Sequence, residues 1–115
     1  MNRAGFSLLA SLLALASVSA KAETQTRAIT LKVQEEAGQV ALELIAHSET
    51  AQQISFTIEL TGASNARHAS TTSIAAGERQ VLSRLQTDTG QGWCAIVHVT
   101  EENGAQYTLD AGDCA

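Results

Sequence analysis

Beyond residue 23, apolar and polar residues alternate at period two in stretch after stretch, short glycine-bearing turns separate the stretches, and helical spacing is scarce. These observations predict an all-β chain. The number and spacing of the stretches predict an immunoglobulin-like antiparallel β-sandwich of about seven strands. A small β-barrel is the competing architecture, because strand number alone does not decide closure.

Ile29, Leu31 and Val33 alternate with polar neighbours and read as the first strand. Ala37-Gly38 is a turn signal, and Val40, Leu42 and Leu44 return as the second half of a hairpin. Ile54, Phe56, Ile58 and Leu60 give the clearest alternation, with Ser55, Thr57 and Glu59 on the other face. After the loop Thr61–Asn65, the run Ala66–Ile74 is rich in Ser and Thr and poor in apolar residues, as suits an edge strand with little core contact. Ala76-Gly77 turns the chain into a strand around Val81 and Leu85, and a second loop covers Thr89–Gly92. Trp93–Thr100 carries apolar residues on both faces and reads as a central strand. Glu102-Asn103-Gly104 is a hairpin turn, because Asn and Gly tolerate positive φ, and Ala105–Ala111 is the returning strand.

Residues 1–22 read as a secretory leader. Arg3 gives a positive start, the apolar run Gly5–Ala16 is too short to span a bilayer, and Ala20-Lys21-Ala22 is a small-x-small cleavage signal. Cleavage is expected between Ala22 and Glu23, with the site after Ala20 as the weaker alternative. The product, residues 23–115, is one domain, expected in a bacterial periplasm, free of the membrane and monomeric. Loss of Arg3 and Lys21 leaves 5 basic residues against 12 acidic ones, a net charge of −7, which disfavours nucleic acid as a partner. The charge is uneven: residues 23–59 sum to −4, residues 60–87 to +2, and residues 88–115 to −5. The middle third, with Arg67, Arg79, Arg84 and His68, is the one locally basic stretch.

The two cysteines, Cys94 and Cys114, sit in the exported part, where a disulfide is the ordinary outcome. The last hairpin tests the pairing. A two-residue Asn103-Gly104 loop would set Val97 against Asp110. A slip by one in either direction sets Val99 against Tyr107 or against Leu109, a better match of apolar faces. Both slipped registers put the cysteines on one face. The Leu109 register makes them direct neighbours. The Tyr107 register makes them diagonal, at about 7–8 Å, so that Gly112 would have to supply a bend.

Catalytic patterns are missing from the sequence. The cysteines are not spaced as Cys-x-x-Cys, and no Gly-x-Ser-x-Gly elbow or Ser-x-x-Lys pair exists. His47, His68 and His98 are too scattered for a metal set, and no cofactor is expected. Glu35-Glu36 and Glu101-Glu102 fall at predicted turns and read as solvated charge. Trp93 reads as a core anchor. A polar Ser/Thr strand beside three arginines instead suits contact with another protein, by pairing along an exposed edge or by charge.

Four stretches carry a family resemblance: Ser55-Phe56-Thr57-Ile58-Glu59-Leu60; Gly62-Ala63-Ser64-Asn65-Ala66-Arg67; Ala75-Ala76-Gly77-Glu78; and Gly92-Trp93-Cys94-Ala95 with the later Asn103-Gly104. In order and spacing they resemble the small periplasmic chaperones of bacterial curli systems, over roughly residues 29–111. The resemblance implies an immunoglobulin-like sandwich, no cofactor, and a role in holding back amyloid formation by curli-type fibre subunits before export. Some members carry a close Cys-x-Cys pair that this sequence lacks, so no redox role follows. Arg67, His68, Arg79 and Arg84 are the expected partner-binding residues; the family motif itself includes only Arg67. The alternatives are a periplasmic inhibitor of a secreted hydrolase and a structural module of a surface appendage.

Overall fold

A computed structural model describes residues 27–114; the expected leader, its cleavage point between Ala22 and Glu23, and Ala115 lie outside them. Seven strands form: β1 (Ile29–Glu36), β2 (Gln39–His47), β3 (Gln52–Thr61), β4 (Ala66–Ile74), β5 (Arg79–Asp88), β6 (Cys94–Glu101) and β7 (Gln106–Gly112). No helix occurs among the described residues. The strands make two separate antiparallel sheets, β1-β2-β5 and β4-β3-β6-β7. The architecture is therefore a sandwich and not a closed barrel.

Period-two alternation decides which residues meet between the sheets. Leu42, Leu44, Ile54, Ile58 and Val97 are fully buried, and each contributes about 1.5–3 kcal/mol by leaving water. One cluster fills the middle around Leu44, Ile54, Phe56, Ile58 and Val97. A second fills one end around Val40, Leu42, Leu60, Trp93 and Ala95. Trp93 is buried there, as its reading as a core anchor requires. Val33 departs from the expected inward row. It pairs with Leu42, but β1 is an edge strand, and Val33 is left 38% exposed.

Local turn chemistry follows the sequence. Ala37 and Gly38 both have positive φ, 54° and 80°, the mirror-image turn that matches the twist of a two-residue hairpin. The β6–β7 hairpin adopts the register that sets Val99 against Tyr107 and Val97 against Leu109. Cys94 then faces Gly112, and Cys114 lies two residues further on. At Gly112 φ is 89°, which turns the chain inward and brings the Cys94 and Cys114 Cα atoms to 5.0 Å. The two cysteines form a disulfide. Replacing both by Ala is expected to cost about 3 kcal/mol, from the chain entropy of a loop of this length. The denaturation midpoint of the double variant measures this.

Candidate functional site

The basic middle third becomes two adjoining strands on one side of the sandwich. β4 edges the four-stranded sheet and β5 edges the three-stranded one. His68 links them: its Nδ1 lies 3.0 Å from Ser83 Oγ, and its ring meets Phe56 edge-on at 5.4 Å. The side chains of the other expected residues diverge. Arg67 pairs across to Glu59, on the opposite face of its sheet from the buried Ile58 and Leu60. Arg84 pairs across to Glu43, opposite in direction to the buried Leu42 and Leu44. Arg67 and Arg84 thus face away from each other, on the two outer surfaces of the sandwich. Arg79 stands at the start of β5, across from His47.

Two of the three arginines are already paired. Arg67 Nε donates to Glu59 Oε2 at 3.1 Å, and Arg84 Nε donates to Glu43 Oε2 at 2.9 Å. The Arg84 hydrogen bond holds the Glu43 carboxyl below the usual glutamate value. Both pairs are exposed, so they add little stability and leave their charges available to a partner. No salt bridge involves Arg79 among the described residues.

The outer face of the four-stranded sheet is flat and polar. Ser55, Thr57, Thr71, His98 and Thr100 line a shallow, open depression there. Ser55 and Thr71 hydrogen-bond across β3 and β4 at 2.9 Å, and Thr108 approaches His98 Nδ1 at 3.3 Å.

One polar cluster departs from its sequence reading. Glu101 was expected to be a solvated turn residue and is instead buried at the end of β6. Its Oε2 accepts the Ala28 N–H at 2.9 Å and the Tyr107 hydroxyl at 2.5 Å, and its Oε1 accepts the Gln52 side-chain amide at 3.4 Å. The Tyr107 oxygen in turn accepts the Ile29 N–H at 3.2 Å, and Arg27 lies 4.5 Å over the Tyr107 ring. Burial, then the bond to Glu101, pushes the Tyr107 hydroxyl well above the usual tyrosine value. The signal was present: continuing the alternation of Ala95, Val97 and Val99 by one step puts Glu101 on the inward face. The neighbouring Glu102 points the other way and accepts the Gln53 N–H at 2.7 Å. This cluster ties the start of β1 to the last hairpin, which makes it structural.

Neither a protein-family model nor a curated protein matches the sequence. Among solved structures, the E. coli curli protein CsgC superposes with a TM-score of 0.52 at 10% identity, over 71% of this chain and 94% of that one. The chain shares its fold with a curli protein. The solution structure of R. palustris CsgH also aligns, at 16% identity and a TM-score of 0.48, over 71% of this chain and 87% of that one.

Proposed function

We propose that the chain is a curli-associated periplasmic chaperone, which holds back amyloid formation by a curli-type fibre subunit before secretion. The observation that carries this reading is the sandwich it shares with CsgC over nearly all of that protein's length. The four sequence stretches that resemble curli chaperones support it independently. In the fold they fall in β3, the β3–β4 loop, the β4–β5 turn and the β6–β7 hairpin. The leader pattern in residues 1–22 and the Cys94–Cys114 disulfide suit an oxidising compartment. The work is binding, carried by surface and strand edge with no cofactor.

A thioflavin assay with a purified curli-type subunit tests the function. Substoichiometric protein is expected to lengthen the lag before fibres form; an unchanged lag rejects the reading. The basic residues guide the encounter. Arg67→Glu, Arg79→Glu and Arg84→Glu together are expected to weaken subunit binding about tenfold at low salt, the difference shrinking as salt screens it. The thermal melt should move little, since both ion pairs are exposed. Because Arg67 and Arg84 face opposite ways, the single variants separate the two outer surfaces. Unchanged binding in the triple variant rejects the assignment of these residues.

A further inference from the structure

A sandwich has four edges, and three of these carry features that discourage the pairing of another strand. β1 bears Lys32, Glu35 and Glu36. The β2–β5 ladder shifts register between Leu44 and Ile45, which bends β5, and β5 also carries Arg79 and Arg84. β7 is the shortest strand and bears Asp110 before it swings inward at Gly112. β4 has neither a register shift nor an inward swing. It pairs with β3 without a break over nine residues, from Gln52↔Ile74 to Leu60↔Ala66. Its one Lys, Arg, Asp or Glu is Arg67, which Glu59 already holds. From Ala69 to Ser73 it presents only Ala, Ser and Thr.

We propose that the outward edge of β4 takes up an extended, uncharged client segment rich in Ser, Thr, Asn and Gln by β-strand addition. This rests on the chaperone reading above. An antiparallel strand points the N–H and C=O of every second residue away from its neighbour. Among the described residues β3 is the only strand paired to β4, so half of the β4 backbone groups face outward. Backbone bonds there give affinity, and the side chains beside them select the occupant. The hydroxyls of Ser70, Thr71, Thr72 and Ser73 match hydroxyl and amide side chains, and they offer no counter-charge to an acidic or basic one. A second copy of this chain is a poor occupant, because two copies, each of net charge −7 once residues 1–22 are removed, repel each other. Capping one such strand in a fibre subunit would remove an edge on which the next could pair, which delays nucleation without catalysis.

Proline substitution and hydrogen exchange test this with a purified curli-type subunit as the probe. Of the neighbours Ala69 and Ser70, one points its N–H to β3 and the other to the open edge. Ala69→Pro and Ser70→Pro therefore include one variant that blocks the edge while sparing the β3 ladder, identified by its near-native melt. That variant is expected to lose the lag extension. In the unaltered protein, adding subunit should slow exchange at alternate β4 amides. A folded proline variant that still lengthens the lag, or protection confined to other strands, overturns the edge assignment while leaving the chaperone reading intact. Should both proline variants unfold, the exchange pattern decides alone. Failure of the unaltered protein to lengthen the lag removes both.

Discussion

Gly112→Ala is expected to destabilise the sandwich by about 4–5 kcal/mol, more than loss of the disulfide alone. Two costs combine. A side chain at φ 89° is strained by about 1–3 kcal/mol. The added methyl would also meet the Trp93 carbonyl oxygen, and its ring at 2.6 Å (Cε3) and 2.8 Å (Cζ3), an overpacking worth about 1–3 kcal/mol or more. The neighbours cannot yield cheaply. Trp93 is packed against Leu60 and Ala95, and the Asp113 N–H donates to the Trp93 carbonyl at 2.6 Å. Displacing the bend also separates the cysteines, so the variant should show free thiols after oxidative refolding. Gly104→Ala is the control. It has a similar φ of 95° with open space around it, and should cost only about 1–2 kcal/mol. Urea midpoints and thiol titration of both variants check this; equal costs would mean that the Trp93 contact contributes nothing.

Glu101→Ala is expected to cost about 4 kcal/mol. It strands the Ala28 N–H and the Tyr107 hydroxyl inside the sandwich, each at about 1–3 kcal/mol, and it opens a cavity where the side chain stood. The loss should be local first. Exchange of the amides of Ala28 and Ile29 is expected to rise before global unfolding, because both bond into this cluster. The same cluster sets an alkaline limit. The folded state favours neutral Tyr107, so its contribution is complete below about pH 10, the ordinary tyrosine value. It is lost as pH rises through the higher folded value. Tyr107→Phe should therefore flatten the fall in stability above about pH 10. A fall of the same steepness in the variant would assign that limit to other groups.

The strands were legible because each has one face in the core. Ile54, Phe56, Ile58 and Leu60 spell out β3, and the hydroxyl-rich run from Ala66 spells out an edge strand, which is where β4 lies. The disulfide was legible too, through the faces that Val97 and Val99 had to share with Leu109 and Tyr107. Glu101 was misread because a charged residue beside a turn is usually solvated. The Ala28 N–H, the Tyr107 hydroxyl and the Gln52 side-chain amide, brought to it by the tertiary structure, make its burial tolerable. The basic residues illustrate a second limit. Alternation says that Arg67 and Arg84 each lie on an outer face, but not that the two faces are opposite.

What the sequence determined by itself was the local content: which residues turn inward along each strand, where the chain reverses, and which two sulfurs share a face. These are period-two and turn properties that act within a few residues. Assembly decided which of the strands other than β4 became edges, which edge was left unguarded, and which charges were paired. Those outcomes depend on residues far apart in the chain, such as Arg84 and Glu43 or Ala28 and Glu101, being brought within hydrogen-bonding distance by sheet packing.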